Sequence, residues 1–158
     1  NTSFIAEELG VITPEVRELK ALSGFPGMAV LEFAFDSRIP STYLPHNHTK
    51  NTVCYIGTHA NPSMARWFRE VSPDCAAYAA EYMGLSEKEG YIWGTIRTAL
   101  SSVADLTILQ MQDLLGVDAR MNLPGTSGNP NWCWRMAPGG LNDALADKLS
   151  SMTKLFQR

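Results

Sequence analysis

Short apolar runs alternate with longer segments of helical periodicity along the chain, and proline or glycine marks most of the changes. Four runs read as strands: Thr2–Ala6, Met28–Phe33, Thr52–Ile56 and Leu106–Gln110. In the third, Val53, Cys54, Tyr55 and Ile56 form the continuous apolar stretch that a buried parallel strand needs. Gly57 then allows a tight turn, and Asn61-Pro62 predicts a capped helix start. Thr58, His59 and Ala60 therefore fall at the C-terminal tip of a strand, where α/β folds handle ligands. After the first run, Thr13-Pro14-Glu15 opens a helix to about Ser23 with Val16, Leu19 and Leu22 on one face. Gly24 and Pro26 end it, and strand–helix–strand predicts parallel pairing.

Further helices are expected from Pro62 to about Val71, from Ser72-Pro73 to Gly84, and from Ser86-Glu87-Lys88-Glu89 to about Ala104. Three helices between consecutive strands exceed what a crossover requires, so residues 72–90 read as an inserted helical segment. Met111–Gly116 predicts a helical turn, and residues 117–138 a polar loop carrying Trp132 and Trp134. Leu141, Leu145, Leu149, Met152 and Phe156 give an amphipathic closing helix. Four strand-then-helix units fit half of a (β/α)8 barrel or a small open sheet. Glu8-Leu9-Gly10-Val11 is not the glycine-rich phosphate turn of an open doubly wound fold, which favours the half barrel.

Composition narrows the partners. A chain of 158 residues with 45% hydrophobic residues suits one domain, residues 1–158. A net charge of −3 offers no basic stripe for nucleic acid or an anionic membrane, and no apolar run is long enough to span a bilayer. Three cysteines without close pairing or zinc spacing suggest reduced thiols in a cytoplasmic protein, as does the lack of a leader-like opening. No metal or cofactor is expected. The loop at 37–51, with Pro40, Pro45, His46 and His48, is long enough to suggest function.

The block Ala6-Glu7-Glu8-Leu9-Gly10-Val11-Ile12-Thr13-Pro14-Glu15-Val16 closely resembles the amylomaltase, or 4-α-glucanotransferase, family of the α-amylase clan. The resemblance continues in order through Gly27-Met28, Phe33-Ala34-Phe35-Asp36, Leu44-Pro45-His46-Asn47 and Gly57-Thr58-His59. It extends to Gln112-Asp113-Leu114-Leu115-Gly116, Ala119–Gly125 and Asn131-Trp132-Cys133-Trp134-Arg135. It implies the C-terminal portion of a (β/α)8 barrel and transfer of α-1,4-glucan segments between maltooligosaccharides by retaining double displacement. Such chemistry uses a nucleophilic carboxylate and an acid/base carboxyl about 5 Å apart.

By position in these motifs, Glu7 resembles the acid/base and Glu8, usually aspartate in the family, a supporting residue. Phe33, His46, His59, Asn61 and Asn122 resemble sugar-contacting positions. The family's nucleophilic aspartate belongs to a strand upstream of Asn1, and its third acid falls at Ala60. Losing that acid removes an electrostatic stabiliser worth about 2.7–4 kcal/mol of barrier. Pro62-Ser63-Met64 also departs from the acid-and-threonine pattern frequent there.

Each residue also has a plainer reading. Glu7 is alternatively a solvated carboxylate, His59 a core histidine, Phe33 pure core, and His46, Asn47 and Asn122 loop structure. Trp132 and Trp134 read as packing anchors, Tyr78, Tyr82 and Met83 as core, Cys54 and Cys75 as small core residues, and Arg66, Arg69 and Glu70 as a solvated helix face. Two functions follow: a fragment of a glucanotransferase, inactive alone, or a non-catalytic α-glucan-binding or scaffold protein. An unrelated small enzyme using Asp36 or Asp113 would require the ordered blocks to be coincidence. Open strand edges at Phe4–Ala6 and Leu106–Gln110 predict self-association or pairing with a missing N-terminal half.

Overall fold

The computed structural model describes residues 4–10, 12–36 and 39–158. Its elements run α1 (Pro14–Ser23), β1 (Gly27–Val30), β2 (Thr52–Tyr55), α2 (Met64–Glu70), α3 (Pro73–Met83), α4 (Tyr91–Ser101), β3 (Leu106–Ile108), α5 (Met111–Leu114) and α6 (Asp143–Leu155). The strands form a parallel sheet in the order β1-β2-β3, with Gly27 opposite Thr52 and Val53 opposite Leu106. Parallel strands need long crossovers, and α2, α3 and α4 supply the one between β2 and β3.

Apolar burial is concentrated around Phe35, which follows β1 and is only 1% exposed. Its ring meets the edges of Trp67 on α2 and of Tyr78 and Tyr82 on α3, at 5.9–6.0 Å between centroids. Leu31, Cys54, Ile56, Met64, Ala79, Met83, Ile96 and Leu100 complete one contiguous core. α3 thus packs into the same core as the sheet, and Ala79 and Met83 are its buried residues.

Several expected bounds shift. The run Thr2–Ala6 forms no strand where it is described: Phe4–Ala6 is irregular, and Ala6 N–H donates to the Pro26 carbonyl at 2.9 Å. Thr2 and Ser3 of that run, Val11, and residues 37 and 38 of the long loop lie outside the described residues. The strand expected over Met28–Phe33 ends at Val30, because Leu31–Phe33 closes into a 3-10 turn. The helix expected from Pro62 starts instead after Ser63, since the Asn61 side chain is engaged with Thr58 and not with the helix. The helix expected from Ser86 starts at Tyr91: Gly90, at φ 85°, interrupts it after the Ser86–Glu89 turn. Cys75 is half-buried and not in the core.

α1 forms as the sequence suggests, with Gly24 at φ 68° closing it. It buries none of its residues, however, and Leu19 and Leu22 are 68% and 79% exposed. No described helix is long and apolar enough to cross a membrane.

Candidate functional site at the strand ends

The chain leaves β2 through Ile56 and Gly57 and turns at Thr58–Asn61. Asn61 Oδ1 accepts from the Thr58 backbone N–H at 3.0 Å and from Thr58 Oγ1 at 2.7 Å, while Asn61 N–H returns to the Thr58 carbonyl at 3.0 Å. This closed turn holds His59 out to solvent and leaves Ala60 half-buried. The loop after α5 reaches the same turn. Asn122 N–H donates to the His59 carbonyl at 3.0 Å, and the Trp132 ring stacks on the His59 imidazole at 5.0 Å and 30°.

Trp132 is therefore not the packing anchor expected of it. It is 54% exposed and held at φ 63°, with its N–H donating to the Met121 carbonyl at 2.6 Å. A non-glycine residue in that region is uncommon and costly, and such strain gathers at functional sites. Asn131 staples this loop by accepting from Leu123 N–H at 2.9 Å and donating to Thr126 Oγ1 at 2.8 Å.

Beneath the turn lie Glu32, which the sequence reading did not single out, and Asp113, named there only as the acid of an unrelated enzyme. Glu32 is 7% exposed and Asp113 1%. Burial first, and the negative charge of Asp113 second, push the Glu32 carboxyl up to about 9, against the opposing effects of the Asn61 amide and the Arg120 cation. Burial likewise raises Asp113 to about 6, although its Oδ1 accepts from Met64 N–H at 2.7 Å. The available signal was an acid inside the apolar run Val30-Leu31-Glu32-Phe33-Ala34-Phe35.

The remaining predicted residues divide. Phe33 is 45% exposed at the same ends of the strands, edge-on to Tyr43 at 5.7 Å. His46 is tied to α3, its Nδ1 sharing a hydrogen bond with the Tyr82 hydroxyl at 2.8 Å. Tyr82 is thus a half-buried tether as well as a packing residue. Arg66, Arg69 and Glu70 form the expected exposed face, with Arg66 paired to Glu70 and Arg69 to Asp118.

Glu7 and Glu8 are not brought to this turn. Glu8 Oε1 accepts from Lys20 Nζ at 2.6 Å and from Met28 N–H at 3.2 Å, at the N-terminal end of β1. In the sheet register that level is Thr52–Val53. About four strand rises, roughly 13 Å, separate it from the tip of β2. The physical reason is local: β1 is an edge of the described sheet, and the carboxylate takes the edge N–H together with the lysine cation. Glu7 lies between Ala6 and Glu8 and is exposed.

A parallel α/β sheet with a polar, aromatic-stacked turn at its strand ends is the architecture of a ligand-handling α/β protein. Comparison with known proteins makes the class specific. The model of the 4-alpha-glucanotransferase family of glycoside hydrolases matches residues 1–142, and the chain belongs to that family. It is 48% identical to a 4-alpha-glucanotransferase from Synechocystis over its full length and 39% identical to one from Thermus thermophilus over 98% of it; each match spans 32% of the relative. A chloroplastic/amyloplastic 4-alpha-glucanotransferase from Solanum tuberosum is 41% identical over 99% of the chain, which spans 28% of that protein. The structure of an amylomaltase from Streptococcus agalactiae in complex with acarbose superposes on 98% of the chain with a TM-score of 0.92 at 39% identity. The chain thus spans about a third of the length of the relatives it matches.

Proposed function

We propose that this chain carries the acceptor-side and acid/base portion of an α-1,4-glucan transfer site, as the C-terminal part of a (β/α)8 barrel. The observation that carries the reading is the joining of His59, Asn122 and Trp132 at the strand ends in a chain of this family. His59 and Asn122 offer hydrogen-bonding groups suited to sugar hydroxyls, and the exposed faces of Trp132 and Phe33 suit the CH surfaces of pyranose rings. Glucan segments are the substrate; a cytoplasmic or plastid setting is compatible with the relatives.

Glu7 is the proposed acid/base, with Glu8 supporting it. The proposal requires Phe4–Glu8 to lie along β1 as a further parallel strand, shifted from the register of the Ala6–Pro26 bond so that Glu7 reaches the level of the tip. Room beside the N-terminal end of β1 is present as a cleft of about 540 Å³, lined by Glu8, Lys20, Met28 and Thr52 among others. The nucleophile comes from the part of the relatives' length that this chain does not span. Residues 72–90 are the inserted helical segment of the single barrel domain.

Ala60 favours a second reading, a glucan-binding protein without turnover, because a small apolar residue stands where the family places its stabilising acid. A maltooligosaccharide disproportionation assay separates the two. It is run on the chain alone and on the chain mixed with the N-terminal two thirds of the Synechocystis relative. Transfer products are expected only from the mixture, rising about 10²–10³-fold with Ala60→Asp. Binding of maltoheptaose without products in any mixture overturns the transfer reading in favour of the second.

A further inference from the structure

Glu32 has its backbone fixed and its side chain under tension from burial. Its N–H donates to the Ile56 carbonyl at 3.1 Å, and its carbonyl accepts from the Trp67 indole at 3.2 Å. Both bonds hold residue 32 directly below the exit of β2. Oε1 has no hydrogen-bond partner among the described residues. It lies so close to Gly57 that a Cβ there would meet it at 2.7 Å and the Asn61 Cβ at 3.1 Å. Asn61 packs against the same glycine, and its side-chain amide opposes the rise in the Glu32 carboxyl. Asn61 in turn closes the turn by holding Thr58 with its Oδ1. A continuous line of contact therefore runs from Glu32 through Asn61 and Thr58 into the segment that carries His59 and Ala60.

We infer that Glu32 is a positioning residue for this turn: its carboxyl, packed with Asn61 against Gly57, sets how His59 and residue 60 face a glucan. The inference rests on the reading of the turn as the glucan site. Glu32 touches no substrate in it; it acts through Asn61. Gly57 matters here for lack of a side chain, since any Cβ would displace both partners.

The ionisable groups acting on Glu32 are Asp113 from α5 and Arg120 from the loop that follows; Asn61 on the turn and Trp67 on α2 bring an amide and an indole. Between about pH 6, where Asp113 ionises, and about pH 9, where Glu32 does, the two carboxyls carry one negative charge opposite Arg120. Above pH 9 a second buried negative charge appears under the turn, and Arg120 then faces two carboxylates. The turn is then expected to shift and the His59–Trp132 stack to open.

The test follows the His59 imidazole proton resonances, which sense the Trp132 ring, from neutral pH to well above pH 9, with maltoheptaose binding measured calorimetrically on the same samples. In the unaltered chain the resonances are expected to move with a midpoint near pH 9, and affinity to fall by up to about tenfold per pH unit beyond it. Glu32→Gln keeps an acceptor for Asn61 without a titrating proton, so both signals should stay flat through that range. Glu32→Ala should lose the stack at every pH while far-ultraviolet circular dichroism reports the retained fold. Flat His59 resonances in the unaltered chain, or an unchanged titration in Glu32→Gln, overturn the inference. An unaltered chain whose His59 resonances move as Glu32 ionises near pH 9, but which binds no maltoheptaose, supports the positioning role and overturns the glucan reading instead.

Discussion

A single glutamate held in an apolar run makes the molecule's stability depend on pH. The Glu32 carboxyl rises from 4.5 to about 9 on folding. Below pH 4.5 both the folded and unfolded chains hold its proton, and the group is neutral to stability. As pH rises the unfolded chain ionises while the folded one retains the proton, so stability is lost progressively up to about pH 9. At pH 7 the gap of some 2.5 units corresponds to about 3 kcal/mol, at 1.36 kcal/mol per unit. Glu32→Gln is therefore expected to stabilise the chain by about 2–3 kcal/mol at pH 7 and by little below pH 4.5. Urea unfolding at the two pH values checks this; equal gains at both would refute the burial of an ionisable group as the cause.

At the scale of elements, α4 ends on an arginine from the far end of the chain. Arg158 Nε donates to the Leu100 carbonyl at 2.7 Å, and its Nη2 to the Ser102 and Ala104 carbonyls at 2.5 and 2.6 Å. These carbonyls lie at and just past the helix end, where acceptors have no intrahelical partner and a cation is favoured by the dipole. Arg158→Ala should lower stability by about 1–2 kcal/mol, with Arg158→Lys restoring part of it; an unchanged urea midpoint in Arg158→Ala would remove the cap from the account. That cap could not be read from sequence, because its partners lie 54 to 58 residues away. The elements that were legible carry local punctuation: Thr13-Pro14 and Gly24 around α1, Ser72-Pro73 and Gly84 around α3, and the apolar run of β2. The sequence misleads where a side chain takes another partner than its local pattern suggests. Asn61 looks like a helix cap but closes the turn on Thr58, and Trp132 looks like buried bulk but stacks on His59. Glu8 looks like a strand-tip acid and instead caps the edge of β1. For Trp132 and Glu8 the deciding partner is distant in sequence, whereas Asn61 takes Thr58, three residues before it, in a local turn that outcompetes the helix cap.

For the molecule as a whole, the surface left open is apolar where a surface helix should be packed. α1 presents Val16, Leu19 and Leu22 at 43%, 68% and 79% exposure, and β1 and β3 are the two edges of the described sheet. Phe4, Phe25 and Leu106, at 56%, 41% and 46%, add to the open surface near the N-terminal ends of the strands. An amphipathic helix earns its stability by burying its stripe, and unpaired edges accept further strands. Since relatives of this chain are about three times as long, the expected cover is the part of their length that this chain does not span; without it, copies of the chain are expected to cover one another. Leu19→Lys combined with Leu22→Lys tests this without disturbing the core, because α1 buries no residue. The double variant should melt close to the unaltered chain, shift sedimentation toward monomer, and pair more weakly with the N-terminal portion of the Synechocystis relative. A chain that is already a stable, monodisperse monomer, or a double variant that associates and pairs as before, would show that α1 is a solvated helix and that the edges alone govern assembly.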